Sequence, residues 1–167
     1  MNQNKYIEYL INEYRKSEIV VDTNLLLLLL IGRYDIKFIS KFKRTEMFSE
    51  NEYFLLEKLI SNFPGIMTSP NILTEVSNLT DGISHEYFTT FVKQIKSFNE
   101  IFIPSIEISA EPIFIKLGLT DAGISMFAKN KHLVVTVDLP LANFLETSKL
   151  PVINFNHIRF NLNDDST

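Results

Sequence analysis

The chain contains no cysteine. That absence excludes disulfide staples and zinc held by thiolates. Histidine is nearly as scarce: His85, His132 and His157 are too scattered to suggest an imidazole-based metal site. Glycine and proline are few, at five and six residues, and the chain has no low-complexity tract or internal repeat. Long apolar runs are missing as well. The run Leu25 to Ile31 has seven residues, far short of the roughly 20 that span a bilayer, so it reads as core. With no signal pattern and no lipid-anchor motif, the expectation is a soluble, cytoplasmic protein. Positive charge is in deficit, giving a formal net charge of −4. This argues against a general electrostatic hold on nucleic acid, while leaving room for a local basic patch.

What is present is an ordinary globular composition. The 167 residues, 46% hydrophobic and 22% charged, suffice for one domain with a proper core. Tyr6, Leu10, Ile11 and Tyr14 recur at helical spacing, so residues 1–17 are read as an N-terminal helix. Ile19-Val20-Val21 is a short β-branched strand, and a leucine-rich helix follows from Asn24 to about Gly32. Ser49 and Glu52 make a capping box for a helix that turns Leu55, Leu56, Leu59, Ile60 and Phe63 inward. Ile66-Met67-Thr68 is a second strand. Ser69-Pro70 then opens a helix to Leu79, with serine as cap and proline at the first position.

Further on, Ser84 to Phe98 is amphipathic, and Ile101-Phe102-Ile103 reads as a third strand. Glu111 to Leu117 is a short helix closed by Gly118, and Thr120 caps the next one. Leu133 to Val137 is a strand, Pro140 starts a helix, and Pro151 to Phe155 is a last strand. Residues 161–167 are expected to be a loose polar tail. Strands alternating with helices predict an α/β fold with a mainly parallel sheet covered on both faces.

In such folds ligands bind at the carboxyl ends of the strands. Asp22 and Asp138 each follow a core strand and so fall on that edge. The helix carrying Glu75 starts where the second strand ends, and Asp121 heads the helix leading to the Asp138 strand. Singly, each acid has a plain structural reading. Asp22 caps a helix, Asp121 suits a helix dipole, and Glu75 sits either in the apolar stripe of Ile72, Val76 and Leu79 or at its edge, reaching water or pairing with a lysine. Together they predict four carboxylates in one crevice, which cannot all stay ionised without a compensating cation. Oxygen-only ligands select Mg²⁺ or Mn²⁺ over zinc. A second feature is the segment 33–48, in which Arg33, Lys37, Lys41, Lys43 and Arg44 alternate with Tyr34, Phe38 and Phe42. This is either a nucleic-acid contact surface or an exposed face whose phenylalanines turn inward.

Val20-Val21-Asp22-Thr23-Asn24, Thr68-Ser69-Pro70 leading to Glu75, Leu119-Thr120-Asp121-Ala122 and Val135-Thr136-Val137-Asp138 resemble, in order, the acidic motifs of the PIN-domain ribonucleases. The resemblance covers about Glu18 to Phe155. It implies a single PIN-like domain, a three-layer α/β/α sandwich with a 33–48 insertion, that cleaves RNA with Mg²⁺ or Mn²⁺. It makes Asp22, Glu75, Asp121 and Asp138 the metal ligands, and Asn24 and Thr136 the polar groups that hold those ligands or a bound water. The basic residues of the insertion are then candidates for holding RNA phosphates. A toxin–antitoxin pairing, with an antitoxin protein as partner, and a homodimer are further expectations of that family. The alternative to cleavage is a catalytically silent PIN-like domain that serves as a protein-binding or regulatory scaffold. Two features depart from the pattern: Pro140 stands where many members carry another acid, and the insertion is longer than in compact toxin members. Asp22→Asn is expected to keep the fold and abolish cleavage.

Overall fold

The computed structural model describes residues 3–159, so the tail at 161–167 lies outside the described residues. Five short strands build one sheet: β1 (Ile19–Val21), β2 (Ile66–Thr68), β3 (Asn99–Glu100), β4 (Val134–Thr136) and β5 (Val152–Asn154). Their order is β3-β2-β1-β4-β5 and every pairing is parallel. Except in β3, every strand residue is buried. Parallel strands covered on both faces need no polar alternation, which is why they read as unbroken β-branched runs.

Helix α1 (Gln3–Tyr14) precedes the sheet, and α2 (Thr23–Tyr34) leaves the carboxyl end of β1. Then come α3 (Glu50–Ile60), α4 (Pro70–Leu79), α5 (His85–Ile95), α6 (Ser105–Ile108), α7 (Phe114–Lys129), α8 (Leu139–Thr147) and α9 (Asn156–Arg159). α2 is the hub: Leu25 through Ile31 are all fully buried, and it packs against α3, α4 and α5. A helix apolar all round has to be enclosed, and this one is. α2, α7 and α8 all touch β4, the neighbour of the central strand β1. The architecture is α/β and consistent with a three-layer α/β/α sandwich.

Two sequence expectations shift. The third strand is Asn99–Glu100, not Ile101–Ile103: the ladder ends where the Ile101 amide donates to the Thr68 carbonyl at 2.9 Å. Phe102 is then 73% exposed, and Pro104, without an amide hydrogen, cannot extend an edge ladder. Gly32 does not stop α2, which runs on to Tyr34. It is there for close packing, because a Cβ at that position would lie 2.3 Å from the Tyr53 ring. Gly118 does break helix periodicity, with φ of 85°. The short helices α6 and α9 have no counterpart in the sequence reading.

The Gly32 contact gives a direct test. Tyr53 is held by its hydroxyl, which donates to Glu57 Oε1 at 2.9 Å. Gly32→Ala is therefore expected to destabilise the fold by about 1–3 kcal/mol through overpacking. Urea unfolding measures it, and an unchanged midpoint would mean that the Tyr53 ring steps aside freely.

The 33–48 segment is folded down rather than loose. Ile39, Thr45 and Phe48 are buried, and the Thr45 hydroxyl donates to the Ile39 carbonyl at 2.8 Å. Phe38 and Phe42 stack at 5.7 Å between centroids and lie against the core. Its far end is clamped by Arg159, whose guanidinium sits 5.1 Å from the Phe48 ring centroid and 2.5 Å from Glu52. The phenylalanines thus follow the inward reading, while Lys37, Lys41, Lys43 and Arg44 remain exposed.

Candidate functional site

The site begins with Asp22, the first residue past β1. Its backbone is extended, and its Oδ1 accepts from the Leu25 amide at 2.8 Å, capping α2. The structural reading of this residue is therefore true, but it accounts for one oxygen only. Oδ2 takes a second set of donors from across the sheet: the Thr136 hydroxyl and the Val137 amide, the latter at 2.8 Å. Register explains the meeting, since Val21 pairs with Val135 and the next residues, Asp22 and Thr136, fall side by side. At 3% exposure, Asp22 has its carboxyl pushed above the usual range by burial, against the opposing pull of Thr136 and the Leu25 and Val137 amides.

Asp138 repeats the device one strand over. It caps α8, accepting from the Leu141 amide at 2.7 Å, and its own amide donates to the Thr136 hydroxyl oxygen at 2.9 Å. Thr136 is thus a bridge, donating to one aspartate and accepting from the backbone of the other. Behind it, the Asn156 side chain donates to the Val137 carbonyl at 2.9 Å and to Asn154 Oδ1 at 3.0 Å, pinning the β4–α8 turn.

Glu75 reaches the same edge from α4. It is not embedded in the packed stripe: Ile72 and Val76 are buried but Glu75 is exposed, so the alternative at the stripe's edge, in reach of water, is the one realised. A link that the sequence reading missed holds it, as the Thr23 hydroxyl donates to Glu75 Oε2 at 2.9 Å. Thr23 follows Asp22 directly, so the start of α2 carries one acid at its cap and holds a second through the next residue.

Asp121 sits early in the part of α7 that resumes after Gly118, half-buried. Among the described residues its carboxyl finds no hydrogen-bond donor. Burial first, then the charges of Asp138, Asp22 and Glu75, push it up to about 7. All three other acids therefore lie within electrostatic reach of this one side chain. Carboxylates from four separate segments share one local field.

The remaining predicted site residues fare differently. Asn24 is exposed, and among the described residues its amide meets no partner. Arg33 is not at the acid edge. It lies ten residues along α2 from Thr23, roughly 15 Å at 1.5 Å per residue. There its guanidinium forks onto both Glu57 oxygens at 2.7 and 3.1 Å and reaches Gln94 at 2.5 Å. Arg33 braces α2 against α3 and α5. The hydrogen bond from Arg33 helps draw the Glu57 carboxyl below its usual range, against the opposing effect of burial. Among the described residues no contact joins Lys37, Lys41, Lys43 or Arg44 to the acids.

The donor chemistry of the edge suits a hard divalent cation. A carboxylate has about four acceptor positions, and the three donors on Asp22 leave one open. Glu75 and Asp138 each keep an oxygen with no donor, and Asp121 keeps both. Their spacing is open: among the described residues no three acidic or histidine side chains stand close enough together to hold an ion as they are placed. Asp22→Asn also takes on a different expectation. An amide NH₂ turned toward Thr136 and Val137 would set donor against donor, at about 1–3 kcal/mol. Asp121, with no hydrogen bonds to lose, is the cleaner position for substitution.

Among the described residues no helix is long and apolar enough to cross a membrane. Comparison with protein-family models, with curated proteins and with solved structures found no match to this chain.

Proposed function

We propose that the acid edge is the catalytic centre of a Mg²⁺- or Mn²⁺-dependent ribonuclease of the PIN type. The observation that carries this reading is the Thr136 bridge between Asp22 and Asp138, with Thr23 joining Glu75 to the same strand end. A merely structural pair of helix caps needs neither link. Asp22, Glu75, Asp121 and Asp138 would hold the cation, which supplies charge neutralisation for a phosphodiester and a lowered pKa for water. The chain's own part is positioning. Thr136 and the Leu25 and Val137 amides fix the Asp22 carboxylate, leaving one acceptor position unfilled. Burial, then the neighbouring acids, raise the Asp121 carboxyl, so that a bound cation would favour its ionised form. Hydrolysis at such a centre leaves a 5′-phosphate and a 3′-hydroxyl, and the exposed Lys37, Lys41, Lys43 and Arg44 supply counter-charge for flanking phosphates.

Calorimetric titration with Mn²⁺ tests the metal half of the proposal. Wild type is expected to bind, and Asp121→Asn to bind at least about tenfold more weakly, in line with what even outer partners of a metal contribute. Matching isotherms for the two proteins would remove Asp121 from the site.

A further inference from the structure

A groove of about 350 Å³ opens between α4 and α7, with Glu75 in its wall. Its other polar lining comes from Asn71, Thr74 and Asn78 of α4 and Thr120 of α7. On α4 these residues fall at i, i+3, i+4 and i+7, one continuous face opposite the buried Ile72 and Val76. Among the described residues none of the four neutral side chains makes a hydrogen bond within the chain. Their donors and acceptors are free to meet something else. Pro70 and Leu119 add apolar surface.

The chemistry of the lining narrows the occupant. Among the described residues no lysine or arginine lines the groove, and the one charged group is a carboxylate, so a phosphate is disfavoured there. Two carboxamides on one face present paired donors and acceptors, the arrangement that reads the edge of a nucleobase. The apolar surface of Pro70 and Leu119 offers contact to a base, as single-stranded RNA is read on unstacked bases. Because Glu75 belongs both to this groove and to the acid edge, an occupant would lie next to the reacting phosphate.

We infer that this groove is a base-reading subsite, in which Asn71 and Asn78 select the nucleobase adjoining the phosphodiester that the acid edge cleaves. The inference rests on the ribonuclease reading of that edge. Asn71 and Asn78 are specificity residues in this scheme, and neither takes part in the chemistry.

The test has two arms, run on the full chain as wild type, Asn71→Ala, Asn78→Ala and the double variant. In the first arm, cleavage of a mixed-sequence RNA with Mg²⁺ or Mn²⁺ is mapped, and the ratio of kcat/KM between the preferred and the poorest base at the cut is compared. Loss of a bidentate base contact should lower that ratio by about 5- to 100-fold, with melting temperatures unchanged. A double variant that cuts with the wild-type preference overturns the subsite while leaving the nuclease reading intact, as does a wild type without base preference. In the second arm, binding of fluorescent rA, rC, rG and rU oligonucleotides is followed by anisotropy in EDTA. If wild type fails to cleave, the nuclease reading falls and this arm decides alone. Base-dependent binding that the double variant loses sustains the subsite, and uniform or absent binding overturns it.

Discussion

Asp121→Asn is expected to stabilise the metal-free protein at neutral and alkaline pH and, in the same molecule, to cost more than about a hundredfold in cleavage. The two effects have one source. In the unfolded chain Asp121 ionises near the ordinary aspartate value of 3.8, but in the fold its carboxyl holds its proton up to about 7. Between those values the native state binds the extra proton. Stability therefore falls as pH rises through that window, and the loss is complete above about 7. Asparagine cannot ionise, so the variant lacks this slope. Its advantage should be absent near pH 4 and fullest above about pH 7, as read from thermal melts across pH in EDTA. Adding Mn²⁺ should narrow or reverse the difference above pH 7, because wild type binds the ion more tightly and gains more from it. The cleavage estimate follows from removing a ligand outright, when outer partners alone are worth about 10–100-fold. Parallel pH profiles for the two proteins would show that Asp121 does not share the field of the other acids.

Thr136→Val is the second large effect. Valine keeps the shape of threonine and fits a β-strand, so the change removes one hydroxyl and little else. That hydroxyl is fully buried, donates to Asp22 Oδ2 and accepts from the Asp138 amide. Its loss strips a donor from a desolvated carboxylate and orphans an amide, at about 1–3 kcal/mol of stability. Asp22 already sits above the usual carboxyl range through burial, with Thr136 the chief opposing influence. Without it the Asp22 proton becomes harder to displace, and metal affinity should drop by about 10–100-fold. Thr136→Ser should recover most of both losses. If valine weakens stability but leaves metal affinity untouched, the bridge is a fold device only.

Much of this arrangement is legible in the sequence because it is local. A β-branched triplet followed by an aspartate fixes a strand end and a helix cap together, and it does so at both Asp22 and Asp138. Ser49 with Glu52 forms the capping box that its spacing requires. Glycine at 118 takes the positive φ that interrupts a helix. What stays hidden depends on contacts between distant segments. Thr23 meets Glu75 across 52 residues and Thr136 meets Asp22 across 114, and no local pattern announces either. Arg33 reads as one member of a basic run, yet Glu57 and Gln94 claim it. Ile101-Phe102-Ile103 has strand composition, but the edge of the sheet has already ended at Glu100. For Glu75 apolar spacing leaves two placements open, in the stripe or at its edge, and the fold realises the exposed one.

Purified protein incubated with RNA in Mg²⁺, Mn²⁺ or EDTA, with the fragment ends mapped, is the most direct measurement of whether the four acids act together. Wild type should yield metal-dependent fragments bearing 5′-phosphate and 3′-hydroxyl ends, and neither EDTA samples nor Asp121→Asn should yield them. Fragments that persist in EDTA or with Asp121→Asn, or RNA that survives every condition, would contradict the account.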